Sequence, residues 1–455
     1  MASSVHEKWS SRWGFMFAAM GVAVGLGNLW RFPFIAGENG GGAFVLVYLF
    51  FVFLLCLPIM AGELLLGRLG GESAVGTMRA LIRRHGSSRL WNAIGWLSIL
   101  IPFAGLSYYA VVAGWAFFYG AKGAVGAFDG LDGPASEALF GSLIVQPELM
   151  LLLHTIFIAL NIFIVGRGVK AGVEAASKLL MPALFVLLLI LVIYGAWAGS
   201  FAQAFDFLLV PDFSKFTAKG LMAAMGQAFF SVAIGVGAMI TYGAYLKDDT
   251  NLTKSAAVIC SADTVVALLA GFAIFPIVFA NDLALTGGPP LIFITLPIGF
   301  GAMPGGQILG FVFFLLLFFA AFTSSLGMLE PVVSWLEERI GGSRLKLAFI
   351  AGGAAWAVGL LPLLSYNLLS DVRPLSWISA LADKSIFDSF DFIISTLLLP
   401  INGLLIALFA GWIISRQESQ QHLGIGGALY NYWHLALRIF APIAVLAILW
   451  NGLVS

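Results

Sequence analysis

The stretch Val22-Ala23-Val24-Gly25-Leu26-Gly27-Asn28 lies in the middle of an apolar segment, where an uninterrupted membrane helix would carry bulky aliphatic side chains. A near copy, Val232-Ala233-Ile234-Gly235-Val236-Gly237, lies in a later apolar segment. Glycine weakens a helix interior by about 1 kcal/mol relative to alanine, and Gly-interrupted helices at matching places point to a binding site built on broken helices. Strings of small residues also serve close helix packing. The position of the two copies, mid-segment and five segments apart, favours the broken-helix reading.

Outward from these stretches the chain is apolar almost throughout. Of its 455 residues 60% are hydrophobic and 10% charged, against about 25% charged in soluble proteins, so lipid is the solvent to reason with. A helix crossing a hydrocarbon core of about 30 Å needs roughly 20 apolar residues. That criterion predicts an all-α polytopic protein with eleven transmembrane helices, at 12–37, 41–69, 90–121, 149–165, 171–198, 217–246, 254–281, 305–338, 345–365, 387–415 and 430–453. The Pro- and Gly-rich segment Pro289 to Gly306 reads as a re-entrant or capping loop. The short polar start and the long segment after it do not read as a cleaved signal peptide. Cys56 and Cys260 lie in apolar runs without CxxC spacing and read as buried free thiols.

Lysine and arginine set the orientation. With a cytoplasmic amino terminus, 16 of the 23 basic residues fall on the inside and 5 on the outside, while Arg31 and Arg438 remain in apolar segments. Segments one and six then run in opposite directions, as a 5+5 inverted repeat requires: 12–198 as the first repeat, 217–415 as the second, 430–453 as an added helix, all within one transporter domain. Zero net charge and the absence of a basic face give no nucleic-acid partner. No HExxH, Walker or GxSxG motif occurs and the five histidines lack metal-ligand spacing, which argues against an enzyme.

Non-helical backbone at membrane depth persists only where other groups use its N–H and C=O. Half-helix amino ends hold a carboxylate and freed carbonyls hold a cation; an amino acid and a sodium ion together supply both. Ionisable residues within a membrane are functional hypotheses. Arg31, beside the break, and Asp391, opening segment ten on the same side, read as an extracellular gate or as a static pair. Glu63 reads as a carboxylate holding broken backbone N–H groups more than as a proton carrier. Asp263 suits a hard-cation ligand, or a packing carboxylate bonded to Ser231 or Ser261. Hydroxyls in Ala320-Ala321-Phe322-Thr323-Ser324-Ser325 suit a weakly bound monovalent ion, though such clusters usually join helices.

GVAVGLGNLWRFP (Gly21 to Pro33), ENGGGAF (Glu38 to Phe44), GQAFFS (Gly226 to Ser231), the TSS at Thr323 to Ser325 and the Asp388/Asp391 pair resemble the neurotransmitter:sodium symporters. The resemblance covers essentially the whole chain and is nearest to the bacterial amino-acid branch, the multi-hydrophobic amino-acid transporters. It implies the LeuT fold with helices 1 and 6 broken, in a bacterial inner membrane. It implies a first sodium site from Ala23, Asn28, Ser231, Asp263 and the substrate carboxylate, and a second from Gly21, Val24, Ala320, Thr323 and Ser324. The implied substrate pocket is Ala23, Leu26, Gly27, Gly105, Tyr109, Phe230, Ser231, Ala233, Val236, Ser325 and Met328, with Tyr109 on the carboxylate and Phe230 as a lid.

Gly25 stands where monoamine carriers of this family place an aspartate, which favours an amino acid. Small Gly105 and Val236 leave room for large aliphatic or aromatic side chains. The carboxylate of Asp263, where chloride-dependent members are neutral, implies no chloride requirement. Trp9, Tyr245 and Glu338 carry over as an intracellular gate, with His6 in place of the family's usual arginine. Gly172 and Pro182 match a Gly-x9-Pro element whose unwinding would open the second sodium site. The expectation is sodium-coupled symport of hydrophobic L-amino acids, with two sodium ions. A proton-coupled carrier on the same fold and a non-transporting sensor or channel are the alternatives.

Overall fold

The computed structural model describes residues 7–214, 216–283 and 291–454. The elements used below are α1 (Arg12–Ala23), α2 (Gly27–Glu38), α3 (Gly42–Gly70), α4 (Ala74–His85), α5 (Arg89–Ala124), α6 (Pro147–Gly166), α7 (Val169–Ala198), α8 (Ala218–Ser231), α9 (Ala238–Ala244), α10 (Leu252–Ala280), α11 (Ile292–Ala302), α12 (Gly306–Ile340), α13 (Arg344–Leu364) and α14 (Ile386–Trp412), followed by a last long helix, Gly427–Leu453. Among the described residues nine helices are long and apolar enough to cross a membrane, and α1 with α2, bent by 49°, makes a tenth. The expected sixth crossing, 217–246, is divided into α8 and α9, of 14 and 7 residues, neither long enough alone. Long apolar runs take this form because only a helix satisfies its own backbone in hydrocarbon.

Pro289 and Pro290 lie outside the described residues. Within the same segment, expected as a re-entrant or capping loop, Ile292–Ala302 forms a short apolar helix, α11, of fewer residues than a crossing needs, with Pro297 inside it just after a widened turn, Leu291–Thr295. The core of the bundle is α12 packed along α5, with α1 between α12 and α7, and α9 against α3. Contact between α3 and α9 is backbone to backbone. A Cβ on Gly67 would stand 2.0 Å from the Ile240 carbonyl oxygen, and one on Gly243 would stand 2.7 Å from that of Leu64. Small residues at such crossings give the close approach that drives helix association in lipid.

Candidate functional site

The two Gly-rich stretches break in different ways. In the first, α1 ends at Ala23, Val24 is extended (φ −75°, ψ 102°) and helix resumes at Gly27 through a widened turn in which the Phe32 N–H reaches the Gly27 carbonyl. In the second, the chain leaves helix from Val232 to Gly237, with Ala233, Gly235 and Gly237 all at positive φ. A Cβ on Gly235 would meet the Leu399 carbonyl oxygen at 2.2 Å, so left-handed backbone and crowding both demand glycine there. Buried Glu63 accepts the Gly235 N–H at 2.8 Å, and Asn402 donates to the Gly235 carbonyl at 2.7 Å and to Ser98 at 3.1 Å. The carboxylate of Glu63 is thus a prop for broken backbone.

Between the breaks sits a buried polar cluster. The Asn28 amide donates to Ser231 Oγ (3.0 Å), to the Asp263 carbonyl (3.0 Å) and to Asp263 Oδ1 (2.7 Å). Ser231 donates to Asp263 Oδ2 at 2.8 Å, and the Tyr48 hydroxyl lies 3.2 Å from Ser231 and 3.3 Å from Asp263 Oδ2. Asn28 Oδ1 accepts the Gly25 N–H at 3.0 Å. Gln227 turns away, donating to the Gly27 carbonyl at 3.0 Å. The cluster offers one carboxylate and several neutral oxygens, a donor set for a hard, singly charged cation. Ser261 takes no part among these bonds.

A second oxygen cluster joins α12 to the end of α1. Ser324 Oγ lies 3.1 Å from the carbonyls of Gly21 and Val22 and 3.3 Å from that of Val24. Thr323 Oγ1 lies 2.9 Å from the Phe319 and 3.2 Å from the Ala320 carbonyl. A hydroxyl has one proton to give, so the three carbonyls of Gly21, Val22 and Val24 outnumber the donor and the group carries surplus negative partial charge. Val22 is a member that sequence reading missed, because its contribution is a backbone oxygen with no side-chain signature.

A cavity runs beside both clusters, lined by Ala23, Leu26, Gly27, Gly105, Tyr109, Phe230, Ser231, Ala233, Val236 and Met328 of the expected pocket. Ser325 is not among them. Its hydroxyl donates to Asn161 on α6 at 2.7 Å and to the Phe322 carbonyl at 2.8 Å, since successive helix positions point about 100° apart and Ser324 already takes the α1 face. Ile101 and Pro102 on α5 and Ile394 and Leu399 on α14 also line it; an apolar residue in a long apolar run gives no sign that it faces a cavity. Tyr109 accepts the Leu26 N–H at 3.2 Å. No side chain lining the cavity is charged.

At the mouth, Arg31 and Asp391 line one vestibule without forming an ion pair. Arg31 lies over the Phe230 ring at 4.3 Å, while Asp391 accepts from Ser395 at 2.8 Å and Tyr108 at 3.2 Å. Cation–π contact and hydroxyl bonds thus take the place of the expected pair. On the amino-terminal side, buried Trp9 donates its indole N–H to the Tyr242 carbonyl at 3.1 Å, and Ser10 bonds Glu174 of α7. Tyr245 donates to Glu330 at 2.8 Å, and Glu330 pairs with Arg344 at 2.5 Å. Glu338 binds Ser73 at the start of α4; eight residues past Glu330, it is displaced about 12 Å along the axis from the level of Tyr245. Glu330 is thus an acid bonded to Tyr245, and Glu338 holds the amino end of α4. His6 lies outside the described residues. Gly172 falls in a widened turn, Val169–Glu174, that stays helical, and Pro182 lies inside α7.

Comparison with known proteins follows the same lines. A family model described as the Sodium:neurotransmitter symporter family matches residues 6–126 and 142–455. A Bacillus subtilis protein named as the uncharacterized sodium-dependent transporter YhdH is 37% identical, over 99% of this chain and 98% of its own. An uncharacterized sodium-dependent transporter of Haemophilus influenzae is 30% identical, over 98% of both chains. The crystal structure of MhsT in complex with L-phenylalanine superposes with a TM-score of 0.88 at 38% identity, covering 98% of this chain and all of that one.

Proposed function

The chain belongs to the sodium:neurotransmitter symporter family, with the LeuT fold, and from that premise we propose that it imports hydrophobic L-amino acids by sodium-coupled alternating access. The observation that carries this reading is the uncharged, largely apolar cavity set directly against two oxygen clusters at the break of the first helix. An apolar side chain fits its wall, and Gly25 leaves no acid to pair with a monoamine. The complex of MhsT with L-phenylalanine supports a substrate of this class.

In this reading both sodium ions are cargo. One rests on Ala23, Asn28, Ser231, Asp263 and the substrate carboxylate, the other on Gly21, Val24, Ala320, Thr323 and Ser324. Sharing the carboxylate makes ion and substrate binding cooperative, because each supplies the charge that the other lacks. The Asp263 carboxylate supplies the negative charge that balances the bound cation, so chloride is not required. Each positive charge entering across 100 mV contributes about 2.3 kcal/mol, and two ions drive steeper accumulation than one. Arg31 and Asp391 gate one side; Trp9, Tyr245 and the acids of α12 gate the other, as 12–198 and 217–415 rock as inverted repeats in a bacterial inner membrane.

Uptake into proteoliposomes under separately imposed gradients tests the proposal. An inward sodium gradient alone should concentrate phenylalanine or leucine, with and without chloride. Concentration driven only by a proton gradient would replace sodium coupling with proton coupling. No concentrative uptake of any amino acid under either gradient would leave a sensor or channel.

A further inference from the structure

A separate groove opens on the flank of the bundle between α5, α12 and α13, lined only by apolar residues that include Trp96, Leu100, Trp335, Ile350 and Ala354. It faces outward: Trp96, Leu100 and Ile350 are each 43–51% exposed. Trp96 and Trp335 meet edge to face at 5.4 Å and form one stiff end of the groove. Toward the adjoining helix ends, on the same helical faces, stand three cations. Arg339 is four residues beyond Trp335, Lys346 four before Ile350, and Arg89 seven before Trp96. All three are exposed, and none pairs with an acid among the described residues, whereas neighbouring Arg344 is held by Glu330 and Glu337.

An apolar groove in lipid selects nothing by itself, since every tail matches it. Unneutralised cations from three helices at one end change that, because basic sites between membrane helices capture anionic head groups. We propose that this groove binds one anionic glycerophospholipid, its phosphate on Arg89, Arg339 and Lys346 and an acyl chain along Trp96 and Trp335. A second copy of the chain is a poorer occupant: a two-fold contact there would set like charges against one another.

Native mass spectrometry of the full chain, taken into mild detergent from vesicles of equal phosphatidylglycerol and phosphatidylcholine, tests the site. One phosphatidylglycerol per chain should be retained, and phosphatidylcholine should not. Each cation removed should lower retention about five-fold and the pair Arg339→Gln with Lys346→Gln roughly 25-fold. Ala354→Phe fills the groove with the cations intact and should also release the lipid; size-exclusion profiles identify any variant that misfolds. Equal retention of the two lipids, undiminished retention in the double variant, or a dimer sealing this face would each overturn the proposal.

Discussion

Replacing Gly25 with alanine tests whether substrate and ion sites share one piece of backbone. An added Cβ would stand 2.6 Å from Ser324 Oγ and 3.0 Å from the Tyr109 hydroxyl. Carbon and oxygen tolerate no such approach, so Ser324 must retreat by roughly 1 Å. Retreat breaks its contacts with the Gly21, Val22 and Val24 carbonyls, now 3.1 to 3.3 Å away, and pressure on Tyr109 loosens its bond to the Leu26 N–H. Two hydrogen bonds at about 1 kcal/mol each amount to a loss of about thirty-fold in the coupled binding of sodium and substrate. Sodium dependence of amino-acid binding by the purified protein measures it. In Ser324→Ala the crowding oxygen is gone, so adding Gly25→Ala there should cost clearly less than in the wild type, a non-additive cycle. Unchanged sodium and substrate affinities in Gly25→Ala, or full additivity with Ser324→Ala, would refute the shared-backbone argument.

Asp263→Asn should depress chloride-free uptake, and chloride should restore part of it; equal uptake of both proteins in gluconate would remove the assigned role. Glu63→Ala leaves the Gly235 N–H buried without its acceptor, at a cost of about 1–3 kcal/mol, and should lower the thermal midpoint in detergent more than Glu63→Gln does. Trp9→Ala removes the indole bond to the Tyr242 carbonyl and the ring contact with Tyr242 at 5.0 Å. It should speed modification of a cysteine placed at buried Ser334, and an unchanged labelling rate would argue against a gate at Trp9.

The fold is readable because membrane helices are written in hydropathy alone: hydropathy predicts 90–121 where α5 runs Arg89–Ala124, and 305–338 where α12 runs Gly306–Ile340. Segment six was readable as broken but not as to how, since the positive φ of Ala233 is imposed by its neighbours and not by its own side chain. Asp263 is legible as a carboxylate out of place in hydrocarbon, whereas Asn28 and Ser231 are set beside it only by the family resemblance, and the three converge. The partners that hold Ser325 and Glu338, Asn161 and Ser73, lie more than 160 residues away along the chain, so these contacts are not written in the local sequence. Neither the widened turns nor carbonyls such as that of Val22 leave a trace in residue type.

The peptide unit between Val24 and Gly25 is a single rigid plane. Its oxygen faces Ser324 and its N–H faces Asn28. A crankshaft turn of that one amide withdraws an oxygen from one cluster and a hydrogen from the other in the same stroke. Neither cluster can slacken alone, and whatever fixes the plane at one end sets the angle at which the other is presented.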